Sequence, residues 1–273
     1  MKGASLTISR QGGKIMKITF QNCMFEEIKE KVRQYYTENR IIVDSFWEDH
    51  VLESSAYKIL AEGKIIGFFA IHHKQLLTLF NVDAEYVNCA QELFYKVKHY
   101  EEIFEAFIPT GDELFLSLAL DDFSKVEKQA YFSMDSQRKI EYHKINQGLI
   151  LTLATIEDLD LIRQYSDNFF EEGLLFHVEA AHIYIARLLA EVVGFGIIEY
   201  GRVVPNFASI GMFVREEYRR QGMATNILIS LKNVVHAKGL QPVSGCWYYN
   251  HNSKKSAQSA GLCSKTRLLR IHF

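Results

Sequence analysis

The chain lacks the features that would place it in several large classes. Its 273 residues include four cysteines, Cys23, Cys89, Cys246 and Cys263, far apart and with no Cys-x-x-Cys pair. Such spacing suggests a reducing compartment and no disulfide framework. An excess of charge of one sign is also missing: 31 Lys and Arg stand against 33 Asp and Glu, a formal net charge of -2. That balance argues against a protein whose main business is binding nucleic acid. No apolar run approaches the ~20 residues of a membrane-spanning helix. Met1 to Lys14 has no apolar core of a signal peptide. A cytoplasmic protein with neither a nucleic-acid nor a membrane partner is expected. Metal-ligand spacing is absent as well. His72 and His73 end a strand and should point to opposite faces. His177 and His182, five apart, miss the spacing that puts two ligands on one helix face. No metal site is predicted.

What is present is a large apolar fraction. Hydrophobic residues make up 48% and aromatic residues 13% of the chain, enough for well-filled cores, and the length suits two domains of ordinary size. The most informative stretch runs from Asn206 to Ile227. Phe207 to Val214 reads as a buried strand, Arg215 to Tyr218 as a polar break, and Ala224 to Val235 as a helix with apolar residues at helical spacing. Gly222 and Ala224 remove side-chain bulk where the helix begins. The amides from Arg220 to Thr225 are then free to point at a ligand close to the backbone. Unpaired N–H groups and the helix dipole favour an anion, and Arg219 and Arg220 add charge beside it. A diphosphate-bearing cofactor follows. The loop is neither a Walker P-loop, since no Gly-Lys-Ser/Thr is present, nor a Rossmann fingerprint, since the three-glycine spacing is missing.

The order Arg219-x-x-Gly222-x-Ala224, directly after a strand ending in Val214, resembles the pyrophosphate-binding signature of the GNAT superfamily of acyl-CoA-dependent N-acyltransferases. A second stretch extends the resemblance: Pro242 to Trp247 as a strand, Asn250-x-x-Ser253, then Gly261 after a short helix. The resemblance implies an α/β (α+β) fold with a mixed, mostly antiparallel sheet flanked by helices. It implies acetyl-CoA as the donor, held by Met212, Phe213, Val214, Arg219, Arg220, Gln221, Gly222, Met223, Ala224, Thr225, Asn250 and Ser253. The chemistry implied is direct attack of a neutral amine on the thioester. A backbone amide at Phe213 or Val214 would hydrogen-bond the developing oxyanion. Departures from the pattern fall on the proton-handling groups. Where some members keep a Glu, this chain has Ala208, and Glu199 on the neighbouring strand is the substitute candidate. Where many carry a Tyr that reprotonates the thiolate, it has Ala257. Tyr248, Tyr249 and Ser253 are the nearby hydroxyls. Leu262 stands where Phe is usual. Glu199 reads better as a solvated strand end, and the hydroxyls read equally as packing or capping groups.

The first half repeats the order of elements. Ile66-Gly67-Phe68 matches Val193-Gly194-Phe195, and Val82-x-x-Glu85-Tyr86 matches Val214-x-x-Glu217-Tyr218. Its loop positions, Val87, Asn88, Cys89 and Ala90, supply neither glycine nor arginine. Two GNAT-like domains are therefore expected, a degenerate copy over 16–145 and an acyl-CoA-binding copy over 146–273. Residues 1–15 form either a leader or an extra strand, Ser5 to Ser9, pairing with Ile15 to Phe20. Within the first copy a helix is expected over Phe25 to Tyr36 and a hairpin at Tyr57 to Ala61 and Lys64 to His72. Further strands are expected at Leu76 to Val82, Leu114 to Leu120 and Lys139 to Lys144, with helices at Glu85 to Val97 and Ser124 to Ala130. In the second copy Leu149 to Leu153, His182 to Leu188 and Val192 to Tyr200 read as strands, and Thr155 caps a helix over Ile156 to Phe170. After Gly261 there is room for one strand, Arg267 to Phe273, where the family commonly has two, and the missing edge pairing is expected from the first half or another subunit. Three functions fit: an N-acetyltransferase for a primary amine of a small molecule or peptide, working as a monomer or homodimer; an acyl-CoA sensor or scaffold without turnover; and an aminoacyl-tRNA-using ligase of paired GNAT-like units. The pyrophosphate loop and the lack of a basic tract argue against the last.

Overall fold

A computed structural model describes residues 5–9, 15–100, 102–138, 148–170 and 172–273. The chain divides into two compact units, Met1–Ala130 with Thr266–Phe273, and Tyr131–Lys265. The expected boundary at 145/146 lies outside the described residues. The division by contacts falls instead within two strands, and it gives the end of the chain to the first unit.

In chain order the elements begin with β1 (Ser5–Ser9), β2 (Ile15–Cys23), α1 (Lys29–Glu38), α2 (Ser45–Leu52), β3 (Ser55–Ala61), β4 (Lys64–His72) and β5 (Leu76–Val82). Then come α3 (Ala90–Tyr100), β6 (Glu105–Pro109), α4 (Glu113–Ala119) and β7 (Lys125–Asp135). They continue with β8 (Leu149–Leu153), α5 (Leu159–Tyr165), α6 (Leu174–Glu179), β9 (Ile183–Leu188), β10 (Glu191–Tyr200) and β11 (Phe207–Val214). The chain closes with α7 (Met223–Ala237), β12 (Gln241–Trp247), α8 (His251–Ser259) and β13 (Leu262–His272). Short 3-10 turns at Phe25–Glu27, Ala84–Cys89, Ile156–Asp158 and Glu216–Tyr218 join them. Among the described residues no helix is long and apolar enough to cross a membrane.

The first unit orders its strands β1-β2-β3-β4-β5-β6-β13, antiparallel except for β5 with β6. The β3–β4 hairpin turns at Glu62 and Gly63, both at positive φ, 48° and 83°, the backbone of a tight hairpin turn that glycine accommodates. The core lies between sheet and helices, with Phe20, Phe69, Phe80, Leu93, Val97 and Phe115 all buried. In the second unit the order is β12-β11-β10-β9-β8, with β11 and β12 parallel. One face of that sheet packs Ala208 and Ile210 against Ile227, Leu231 and Val235 of α7. The other packs Phe195 and Phe213 against Ile162 of α5, Phe170 and Val178 of α6.

Internal equivalence of the two units is visible at the backbone. Gly67 of β4 lies opposite Val82 of β5, and Gly194 of β10 opposite Val214 of β11. A Cβ at Gly67 would stand 2.3 Å from the Asn81 carbonyl oxygen, and one at Gly194 2.2 Å from that of Phe213. Just beyond each, the N–H of Asp83 donates to Ile66 O, and the N–H of Arg215 to Val193 O. The matched glycines are required by the same close approach of two strands.

Three expectations are corrected. Leu114 to Leu120 is helical, as α4: the Asp112 carboxylate accepts from Phe115 N at 3.2 Å as an N-cap, and Phe115, Leu118 and Ala119 bury one helical face. A short apolar run alone does not distinguish strand from helix. Ser124 to Ala130 belongs to a strand, β7, whose entry is fixed by Ser124 N donating to His272 O at 2.8 Å. The strand expected at Lys139 to Lys144 lies outside the described residues. His72 and His73 do not diverge, because His73 leaves the strand at φ 46° and the two rings sit 3.9 Å apart. Helix α2 and strand β6 were not anticipated.

Strand β13 finds its partner in the first half, running antiparallel to β6 from Leu268 with Pro109 to His272 with Glu105. Ile271 is 0% exposed in the first unit's core. Ile271→Ala is expected to cost about 2–4 kcal/mol, as a cavity in a packed core does, read as a lower denaturation midpoint for the first unit. An unshifted curve would place β13 outside that core. A second outcome concerns Asp112, which also accepts from the Tyr35 hydroxyl at 2.6 Å. Burial pushes its carboxyl up to about 7, against the pull of the Tyr35 and Phe115 hydrogen bonds. Between the ordinary carboxylate value and that one, the folded state holds a proton that the unfolded chain has released. Stability from this group is therefore full below pH ~4 and lost as pH rises toward 7. Denaturation midpoints measured across that window should fall more steeply for the natural protein than for Asp112→Asn, which keeps the cap and cannot titrate.

Candidate functional site

The site begins with a strand that loses one neighbour. β11 pairs with β10 along its whole length but with β12 only at Phe207, Ala208 and Ser209. Beyond Ser209 the two parallel strands part. Because Arg215 N donates to Val193 O at 3.1 Å, alternation in the antiparallel ladder commits Phe213 to β10 and turns the amides of Met212 and Val214 toward the gap. Of the two amides expected to meet an oxyanion, geometry therefore favours Val214. Its carbonyl accepts from Arg219 Nε at 3.0 Å, which ties the loop to the strand end.

The loop turns through two left-handed residues, Arg220 at φ 61° and Gly222 at φ 82°. Gly222 is the N-cap of α7, whose first helical bond runs from Asn226 N to Gly222 O at 3.1 Å. Among the described residues the amides from Arg220 to Thr225 have no acceptor, as expected at an uncapped helix start. All of these residues but Gln221 line a cleft of about 1060 Å³. Of the twelve residues expected to hold the cofactor, eleven line this cleft: Met212, Phe213, Val214, Arg219, Arg220, Gly222, Met223, Ala224, Thr225, Asn250 and Ser253. Gln221 turns its side chain back to Glu217 O at 2.8 Å and does not line the cleft.

Helix α8 forms the opposite wall. Asn250 Oδ1 accepts from Ser253 N at 3.1 Å and caps it. Asn252, Lys255, Ser256 and Ser259 also face the cleft. They follow i, i+3, i+4, i+7 spacing, so the helical period could have found them once α8 was placed. Phe169 and Tyr218 complete the lining and were likewise missed. Ala257 faces the other way, 5% exposed in the α7 core beside Leu262. The helix is held by Lys232, whose buried ammonium donates to Asp135 Oδ1 at 2.9 Å and to Ala260 O at 3.0 Å. Burial raises the Asp135 carboxyl, and hydrogen bonds from Lys232 and His236 more than reverse this, leaving it below its ordinary value.

Of the catalytic candidates, only Ser253 lies on the cleft. Tyr249 is 52% exposed against Trp247, and Tyr248 stacks on Tyr131 with ring centroids 4.6 Å apart. Glu199 stands opposite Ser209, toward the far end of β10 from Val214. It gathers with His177 and His182, one ligand atom of each lying within 4.8 Å of the others. The spacing argument against these histidines fails because they sit on different elements. His177 closes α6, and His182 precedes β9 across a turn with Ala181 at φ 57°. Burial holds the His182 imidazole below its ordinary pKa, helped by His177 and Arg202.

The matching place in the first unit is built differently. Val82 is followed by Asp83 rather than Arg; the bond from Tyr86 N to Asp83 O is shared with Tyr218 N to Arg215 O, but here the 3-10 turn runs on to Cys89 and the Ala90 amide is spent on Val87 O. The cleft there, about 660 Å³, is edged by Glu38, Asp83 and Glu113 with Lys31. Its acidic rim and spent amides do not suit a diphosphate.

Two family models match the sequence, an acetyltransferase (GNAT) domain over residues 24–136 and the acetyltransferase (GNAT) family over residues 150–261. The chain belongs to the GNAT acetyltransferases, as two such domains in tandem. It is an acyltransferase. Its fold is similar to that of a GNAT-family acetyltransferase from Colwellia psychrerythraea, with TM-score 0.83, 16% identity, and 93% of this chain and 99% of that one covered. A GCN5-related N-acetyltransferase from Sphaerobacter thermophilus aligns with TM-score 0.61 and 12% identity over 94% and 95% of the two chains. A tandem GNAT protein from the clavulanic acid biosynthesis pathway aligns with TM-score 0.57 and 11% identity over 93% and 97%. No curated protein matches the chain.

Proposed function

We propose that the second unit binds acetyl-CoA and passes its acetyl group to a primary amine of a small molecule or peptide. The single observation that carries this reading is the run of six open amides, Arg220 to Thr225, at the mouth of a gap between parting strands. The residues fit the group. The amides and the start of α7 suit the diphosphate, with Arg219, Arg220 and Lys255 supplying positive charge around it. The gap beyond Ser209 leaves strand backbone open for the pantetheine arm. Acetyl-CoA supplies an activated thioester. The Val214 amide is aimed into the gap and can polarise a carbonyl placed there, while Asn250 and Ser253 edge the arm. Ser253 is one of the hydroxyls on the cleft, with Tyr218, Thr225, Ser256 and Ser259, and the one next to Asn250 that we assign to a departing thiolate. No proton step is assigned to Tyr249 or Glu199, which stand outside the lining.

A reading as an acyl-CoA sensor is favoured by one observation: Ala208 and Ala257, where relatives keep proton-handling groups, are 0% and 5% exposed in the core. Thiol release from acetyl-CoA over a panel of amines separates the two, and binding without turnover on any amine would favour the sensor.

Replacing Gly222 tests the binding step itself. Gly222→Glu places a carboxylate beside the diphosphate and should weaken CoA binding on the order of 100-fold by calorimetry, since juxtaposed like charges cost several kcal/mol. Gly222→Ala carries the same left-handed strain without the charge and should retain most of the affinity. Equal affinity of Gly222→Glu and the natural protein would rule out this site.

A further inference from the structure

We infer that His177, His182 and Glu199 form a divalent metal site of the zinc class in the second unit, separate from the acyl-CoA cleft. One ligand atom from each of the three lies within 4.8 Å of the other two. The Nδ1 atoms of His177 and His182 are 3.2 Å apart. Metal–nitrogen bonds of ~2.0–2.1 Å in a tetrahedron place two ligand nitrogens roughly 3.3–3.4 Å from each other. The imidazoles are therefore already at the separation that one ion requires. Glu199 supplies the carboxylate of a His2Glu set, which leaves a fourth position to water or another ligand. Two imidazoles with one carboxylate suit a borderline ion such as Zn2+ over Mg2+ or Ca2+.

The backbone holds the three in place before any ion arrives. His182 N donates to His177 O at 2.9 Å, and Ile198 N, next to Glu199, donates to His182 O at 2.9 Å. The ligands come from α6, the residue before β9, and β10, and all three are half-buried. The Phe176 ring lies 5.4 Å from that of His177 and 5.9 Å from that of His182, forming an apolar wall. Arg202 is the cation that acts on His182, and it opposes a second positive charge, so a weakly held hydrated ion is not enough. An ion here would pin α6 to the sheet on the face that carries Phe195 and Phe213.

The test uses the full chain stripped of metal. Zn2+ added in a calorimeter should bind saturably with one ion per chain, and Co2+ should give the visible absorption of a tetrahedral centre. Zn2+ should also raise the melting temperature, as any ligand of the folded state does. His182→Ala and Glu199→Gln should each lower the affinity by at least the roughly 10–100-fold that loss of a supporting partner costs. Glu199→Gln keeps the shape of the site, and circular dichroism of both metal-free variants checks that they fold. His72→Ala, in the first unit's histidine group, should bind as the natural protein does. Absence of saturable binding, or binding unchanged in both site variants, would reduce the pair to a histidine–histidine hydrogen bond and overturn the proposal.

Discussion

The parting of β11 from β12 after Ser209 is the constraint on which the rest of the second unit depends. A central strand normally spends its amides on both neighbours, and leaving them without acceptors in a sealed interior would be costly. Here the Val214 amide opens onto a cleft where solvent or a ligand can satisfy it. The loop beyond repeats the solution at higher density, because Arg220 and Gly222 reverse the chain and leave a helix start uncapped. Everything around serves to hold that opening. Ile227, Leu231 and Val235 anchor α7 to the sheet, and the buried Lys232 ties the end of α8 to it through Ala260.

Comparison of the two units separates what the fold needs from what the ligand needs. Gly67 and Gly194 persist at matched positions because a side chain at either would strike a neighbouring carbonyl oxygen. The 3-10 turn after Val82 shows the same scaffold with a different loop, its Ala90 amide spent internally and its rim acidic. One backbone thus leaves the amides of Arg220 to Thr225 open in one copy and runs on as a 3-10 turn in the other, and the difference lies in the loop after the matched Tyr218 and Tyr86.

What the sequence made legible was whatever is encoded locally. The strand at Phe207–Val214 and the helix after Gly222 could be read because an apolar run, a polar break and a small residue at the helix start follow one another directly in the chain. The Glu62–Gly63 hairpin was equally clear, since turn chemistry is short-range. Leu114 to Leu120 is read wrongly from sequence because a run of six apolar residues around Ser117 looks alike in a strand and in a buried helix, and Asp112, the cap that decides, precedes the run. The α8 face is regular in spacing but polar throughout, Asn252, Lys255, Ser256 and Ser259, and nothing in such a pattern separates a cleft wall from a solvated helix face. The meeting of His177 with His182 and Glu199 was not legible. It depends on a turn at Ala181 and on which strand lies alongside, neither of which residue spacing reveals.

The last strand has a consequence for synthesis. β13 docks beside β6, and Arg267 N bonds to Thr110 Oγ1 across 157 residues of chain. A ribosome making this protein therefore finishes all of the second unit before it delivers the piece that completes the first. The usual rule that the N-terminal part matures first cannot hold in full: the leading unit waits with an open edge at β6, shielded only when residues 266–273 emerge.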